Sequence, residues 1–199
     1  MNSHIVILVG RAGSGKGTQA EFIKQFLENK FPAQKTFYIS TGSKFREFVD
    51  SGSYSAELSK KINSTGELQP EFLAVWNWSR ILIDSVVDNG NVVFDGSPRK
   101  LEEAKMMDSA VKFYNWQKPL VIEIDVDNEE AVKRLMLRKR EDDTEAAIRE
   151  RLGWYGIDVV PMIEWYKQNN DYTYLNVPGT RSIEEIKADI ESYLETHLK

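Results

Sequence analysis

The stretch IVILVGRAGSGKGTQ, Ile5 to Gln19, decides how the rest of the chain reads. Ile5–Val9 is an unbroken apolar run dominated by β-branched residues, the pattern of a short strand buried on both faces. Gly10, Gly13 and Gly15 follow, residues that accept the positive φ angles of a tight loop and let the backbone approach a ligand closely. A glycine loop that leaves a strand and opens a helix lets backbone amides converge on phosphate oxygens, and the helix adds the positive end of its dipole. The amides of Gly13, Ser14, Gly15, Lys16, Gly17 and Thr18 are the candidate phosphate ligands, with the Lys16 ammonium as a mobile charge for the outer phosphates. In the common phosphate loop a hydroxyl follows the lysine directly and serves a magnesium ion. Here Gly17 stands in that place and the hydroxyl arrives one residue later, at Thr18.

Further strand-like runs follow at Thr36–Ser40, Asn91–Asp95, Leu120–Val126 and Tyr172–Val177, each short and closed by polar residues or glycine. Helical patterns lie between them, among them Thr18–Asn29, Pro70–Val87 and Glu129–Lys139. The last segment, Ser182–Leu198, carries apolar residues at 183, 186, 190 and 194, and Ser182 with Glu185 opens it as a capping box. Strands alternating with helices predict an α/β fold: a five-stranded parallel sheet with helices on both faces and ligands at the carboxyl ends of the strands. Residues 41–70 are helical, small and polar, and break the alternation, which predicts a helical insertion.

The 199 residues, 41% of them hydrophobic, suffice for one well-cored domain. A net charge of −5 argues against broad, unspecific nucleic-acid binding. The absence of cysteine excludes disulfides and thiolate metal sites, a zinc site of that kind included. The two histidines, His4 and His197, lie near the chain ends with no ligand-like neighbours. No apolar run reaches transmembrane length and no basic leader precedes the first strand, so a cytoplasmic protein without membrane partners is expected.

With its neighbours in place, GRAGSGKGTQ resembles the G-x-P-G-x-G-K-G-T-Q loop of adenylate kinases and related nucleoside monophosphate kinases; Ala12 stands where that family usually has proline. STGSKFRE (residues 40–47) resembles the family's S-T-G-D-x-x-R element, which implies Thr41 against the acceptor base and Arg46 on the acceptor phosphate. STGELQPEF (64–72) resembles the turn that brings Gly66, Leu68 and Gln69 to the acceptor pocket. VVFDGSPRKLEEA (92–104) resembles D-G-F-P-R-T-x-x-Q-A. By that likeness Asp95, with Thr18, would hold magnesium through water; Gly96 and Arg99 would meet AMP, and Arg99 would also meet the moving phosphoryl group. VKRLMLRKREDDTEAAIRERL (132–152) resembles the lid region, with Arg134 on the donor adenine and Arg138, Arg140 and Arg151 on the phosphates, the last two also serving AMP. NVPGTRSIEEI (176–186) resembles the loop whose backbone, near Pro178 and Gly179, meets the donor adenine.

The resemblance implies a phosphate-loop NTPase fold: a core of residues 1–40, 71–137 and 145–199, a monophosphate-binding insertion at 41–70 and a lid at 138–144. It implies Mg·ATP and AMP as substrates, ADP as product, catalysis by Lys16, Arg99, Arg138, Arg140 and Arg151, a monomer, and no nucleic-acid partner. Two departures stand out. A single residue separates Arg138 from Arg140, leaving a minimal lid. Glu103 occupies the place of the glutamine that reads the acceptor base. An ionised glutamate only accepts hydrogen bonds, which suits guanine or the cytosine amino group better than adenine. Thr41 speaks the other way, because pyrimidine-specific relatives usually carry alanine there. AMP is therefore the expected acceptor, with CMP, UMP or GMP as alternatives, and a nucleotide-binding module without an acceptor as a further one.

Overall fold

The computed structural model describes residues 3–138 and 144–198. The described residues form a five-stranded, wholly parallel sheet in the order β2-β3-β1-β4-β5. The strands are β1 Ile5–Val9, β2 Thr36–Ser40, β3 Asn91–Asp95, β4 Leu120–Asp125 and β5 Thr173–Pro178. Strand β1 sits at the centre. The chain leaves it for one edge, returns through β3, then crosses to β4 and β5. The carboxyl end of β1 therefore opens where the winding reverses, the crevice at which such sheets bind ligands.

Alternation along the strands makes two cores. Ile5, Ile7 and Val9 face one side and Val6 and Leu8 the other. The first side packs under α4 (Glu71–Ser85), α5 (Leu101–Phe113) and α8 (Val160–Gln168) through Trp78, Leu82, Met107, Met162 and Tyr166. The second packs under α1 (Lys16–Lys30) and α9 (Ile183–His197) through Ile23, Leu27, Ile186, Ile190 and Leu194. Each fully buried aliphatic side chain contributes about 1.5–3 kcal/mol, so burial on both faces explains why the strands read as apolar runs. Ser182 and Glu185 form the capping box that opens α9. Between β2 and β3 come α2 (Thr41–Val49) and α3 (Tyr54–Thr65), followed by α4.

Helix α6 (Asn128–Arg138) leads toward residues 139–143, and α7 (Glu145–Trp154) follows them. A π-helical turn, Tyr155–Val159, joins α7 to α8 without a break. That turn is pinned behind the glycine loop. Tyr155 donates its hydroxyl to the buried Glu123 of β4 at 3.2 Å, and the Arg11 guanidinium lies 4.0 Å from the Tyr155 ring centre. Tyr174 and Asn176 of β5 also donate to Glu123.

Candidate active site

A cleft of about 1090 Å³ opens over the carboxyl end of β1. Its floor is the glycine loop, where Gly10, Gly13 and Gly15 all take positive φ. Gly15 is the N-cap of α1 in a left-handed conformation, without a side-chain cap, and no acidic residue occupies the first turn. The amide ends and dipole of α1 are thus available to an anion rather than spent on a carboxylate. Lys16 curls over the loop, donating to the carbonyls of Gly10 at 2.8 Å and Arg11 at 2.6 Å. Desolvation pushes its ammonium down to about 8, with Asp95 opposing and the Arg99 and Arg138 charges adding to the fall.

Gly17, in the place of the usual hydroxyl, lies beside the carboxylate that ends β3: a Cβ built there would meet Asp95 Oδ2 at 3.4 Å, an ordinary van der Waals contact. Asp95 is held on two sides: Tyr38 donates its hydroxyl to Oδ2 at 2.9 Å, and Thr41 Oγ1 donates to the backbone carbonyl at 3.1 Å. Among the described residues no group of three or more His, Asp or Glu side chains gathers to chelate a metal. The single carboxylate of Asp95 beside a phosphate loop fits a magnesium ion that arrives on nucleotide phosphates.

The opposite wall comes from elements distant in sequence. Arg99 is half-buried, its Nε donating to the Gly96 carbonyl at 2.8 Å. Burial pushes this guanidinium down, against Glu103 and Asp95, while Arg151 adds to the fall. Arg46 of α2, Arg151 of α7 and Arg138 at the end of α6 line the same cleft. Arg134 is braced by Glu130, whose Oε1 accepts from Nε at 2.7 Å, and its guanidinium lies 3.5 Å from the Ser14 carbonyl.

Glu103 is 2% exposed and accepts from the Arg99 backbone amide at 3.1 Å. Desolvation pushes its carboxyl up, against the pull of the Arg99 amide, the Arg99 guanidinium and Lys100. Gln69 is also buried; its amide nitrogen is committed to the Ser59 carbonyl and Asn63 Oδ1, and its oxygen meets no donor among the described residues. Gly66, Leu68, Thr41 and Gly96 complete this side.

Gly13 to Thr18, Thr41, Arg46, Gly66, Leu68, Gln69, Asp95, Gly96, Arg99, Glu103, Arg134, Arg138 and Arg151 therefore meet in one cleft. Arg140, and the lid expected at 138–144 apart from its end residues, lie outside the described residues. Pro178 and Gly179 do not line the cleft. Pro178 is the last residue of β5, paired with Asp125, and the Gly179 amide donates to the Asp125 carbonyl at 2.7 Å, so the sheet holds this backbone. Arg181, Ser182 and Ile183 reach the cleft instead, and Gln19 of α1 ties to them through the Ile183 carbonyl at 3.0 Å. Tyr38 and Trp154 also line the cleft; the sequence pattern marks Tyr38 only as a strand residue and Trp154 only as a core or rim residue.

The sequence model of the adenylate kinase family matches residues 8–171. The chain belongs to the adenylate kinase family. It is 32% identical over 191 residues to an adenylate kinase of Prochlorococcus marinus strain MIT 9515, covering 96% of this chain and 98% of the relative. It is 34% identical over 185 residues to that of Leptospira biflexa serovar Patoc, covering 91% and 94%. It is 31% identical over 194 residues to that of Phocaeicola vulgatus, covering 96% and 97%. Membership of the adenylate kinase family makes the chain a phosphotransferase with a nucleotide-binding cleft. No helix among the described residues is long and apolar enough to cross a membrane.

Proposed function

We propose that the chain transfers the γ-phosphoryl group of Mg·ATP reversibly to AMP, giving two ADP. The observation that carries this reading is the meeting of two anion-binding walls in one cleft: the Lys16 loop with Asp95 on one side, and Arg46, Arg99 and Arg151 on the other. A nucleotide switch needs only the first wall.

In this reading the loop amides and Lys16 hold the donor phosphates, while Arg134 and Arg138 guard the donor side. Arg46, Arg99 and Arg151 hold the acceptor phosphate, and residues 41–70 act as the acceptor-binding insertion. Magnesium bound to the donor phosphates would neutralise charge there, and Asp95, with Thr18 nearby, would hold it through water. Little covalent chemistry falls to the protein, so catalysis is positioning plus cationic stabilisation of the transferred phosphoryl group. Arg99 suits that task because its fork is anchored at Nε by Gly96, leaving the terminal nitrogens to orient on oxygen.

The neutral form of Glu103 is the one that would suit adenine. A protonated carboxyl has a donor and an acceptor, like the glutamine amide, and can serve N1 and the amino group of adenine together. Burial supports that form, since desolvation is the largest influence on this carboxyl. An ionised Glu103 favours a base edge rich in donors, and guanine or cytosine as acceptor is the second reading.

The test is a panel of AMP, GMP, CMP and UMP with ATP and magnesium, followed by chromatographic separation of the diphosphates. AMP is expected to dominate. Faster turnover of any other base overturns AMP as the acceptor, and ATP hydrolysis without any acceptor turnover overturns the whole reading.

A further inference from the structure

Trp154, the last residue of α7, bridges three parts of the cleft. Its indole N–H donates to the Gly66 carbonyl at 2.9 Å, across 88 residues of sequence. Its ring carries the Arg99 guanidinium, 5.8 Å from the ring centre and within cation–π range. Arg151 lies one turn earlier on α7, on the side of the helix that also bears Trp154.

The far end of this contact is a preformed unit. Gly66 ends α3 as a left-handed C-cap with φ of 83°, its amide donating to the Asn63 carbonyl. Gln69 ties the same turn from the other side, through Asn63 Oδ1 at 2.8 Å and the Ser59 carbonyl at 3.0 Å. The turn then sits against α7 so closely that a Cβ on Gly66 would stand 2.5 Å from the Ala147 carbonyl oxygen. Only a residue without a side chain allows that approach. Residues 63–69 thus meet α7 at two points, Ala147 near its start and Trp154 at its end.

We infer that Trp154 is a positioning residue that latches the turn at residues 63–69 to α7 and supports Arg99 from behind, so that the acceptor wall is assembled before the acceptor arrives. The latch lowers the ordering cost of binding, as preorganisation does generally. It acts through Gly66 and Arg99. The functional half of this inference rests on the acceptor site proposed above; the contact itself does not.

The test pairs two variants of the full chain with two readouts. Trp154→Phe keeps a ring for Arg99 and removes the N–H donor. Trp154→Ala removes both. Amide hydrogen exchange in the nucleotide-free protein reads the latch without reference to any substrate. In Trp154→Phe, amides of residues 63–69 are expected to exchange about three- to tenfold faster, the worth of one hydrogen bond, while the sheet amides keep their rates. Steady-state kinetics, with whichever base turns over in the panel, read the consequence. The acceptor KM is expected to rise about three- to tenfold in Trp154→Phe with the ATP KM moving less than about twofold. Trp154→Ala adds a further loss of kcat of about threefold, as Arg99 loses its support. Unchanged exchange at 63–69 in Trp154→Phe overturns the latch, whatever the acceptor proves to be. Faster exchange spread across the sheet, with both KM values rising alike, overturns it too, because Trp154 would then be a packing residue only. An altered acceptor preference in the panel with local exchange still raised leaves the latch standing and overturns only the assignment of AMP.

Discussion

The two walls of the cleft are built in opposite ways. The wall proposed for the donor is mostly backbone: one strand, one glycine loop and the first turn of α1, contiguous from Ile5 to Gln19 and fixed by φ angles and helix geometry, with Asp95 beside it. The wall proposed for the acceptor is mostly side chain: Thr41 and Arg46 from α2, Gln69 from the turn after α3, Arg99 and Glu103 around the start of α5, Arg151 and Trp154 from α7, with the Gly66 backbone among them. A backbone site tolerates many side chains and changes little on mutation outside its glycines and lysine. A wall assembled from scattered side chains can be retuned one residue at a time, as at Glu103, whereas the loop's own departure, Ala12, leaves its glycines and lysine in place.

The largest test of this contrast is Arg99→Ala. It removes a cation of the proposed acceptor wall anchored by Gly96, and it changes no residue of the glycine loop. Turnover is expected to fall by about 10³-fold or more, the scale of an arginine that neutralises a transferring phosphoryl group. The circular dichroism melting profile should keep its shape, because Arg99 lies in no hydrophobic core. Near-normal turnover in that variant would remove Arg99 from the chemistry and, with it, the reason for a two-walled cleft.

A smaller effect separates the walls from the donor side. Tyr38 holds Asp95 by one hydrogen bond to its carboxylate, and burial followed by the Asp95 charge pushes the phenol up, so it stays a donor at any working pH. Tyr38→Phe should cost about tenfold in kcat/KM for Mg·ATP, the lower end of what a hydrogen bond to a charged group contributes. Raising magnesium should recover part of the loss, while the acceptor KM stays level. An acceptor KM that rises instead would mean that Asp95 serves the acceptor wall.

The contrast also explains what was legible in the sequence. Three strands, Ile5–Val9, Thr36–Ser40 and Asn91–Asp95, have the ends that their apolar patterning predicts. In β1 and β3, burial on two faces leaves an apolar signal that polar residues or glycine cut sharply. Strand β4 stops one residue short of Val126, and the edge strand β5 shifts by one: Tyr172 is drawn off by its hydrogen bond to Asp108 and by packing against Tyr166, and the ladder starts at Thr173. Helix α1 starts at Lys16, as the glycine loop suggests and two residues before its apolar pattern at Thr18–Asn29, and Gly15 caps it through backbone conformation alone. Local chemistry was readable; long-range pairing was not. The π-helical turn at Tyr155–Val159 has no periodic signature, since the bonds that pin it run to Glu123 and Arg11. Tyr38 and Trp154 look like ordinary aromatics in the chain and acquire their roles from partners 57 and 88 residues away. Arg181 was hidden for a related reason, because the sheet holds Pro178 and Gly179 back and passes the cleft to the residues that follow.

The subtlest test bears on the residue that breaks the family pattern. Glu103 is faced by the Arg99 amide and guanidinium from the preceding loop, by Lys100 at the cap of its own helix, by Glu71 at the start of α4 and by Tyr166 from α8. Burial outweighs the three groups that favour ionisation, and the Glu71 charge works with burial, so the carboxyl stays neutral to higher pH than in the unfolded chain. The sign follows directly. Below the unfolded value the proton is bound in both states and stability is unaffected by pH through this group. As pH rises through the raised native value, the stabilisation contributed by the neutral buried form is lost, and with it the donor that adenine N1 requires. If the neutral form binds AMP, the AMP KM of the native chain is expected to climb as pH rises through the raised native value, by about three- to tenfold, the worth of one hydrogen bond. Glu103→Gln carries a permanent donor and acceptor in nearly the same volume, so its AMP KM should stay flat over the same range and equal the native value only at the acid end. Matching slopes in the two proteins would place the titration elsewhere in the cleft. A native KM that instead falls with rising pH would mean that the ionised carboxylate is the binding form, and the acceptor wall would then be shaped for a base with donors rather than for adenine.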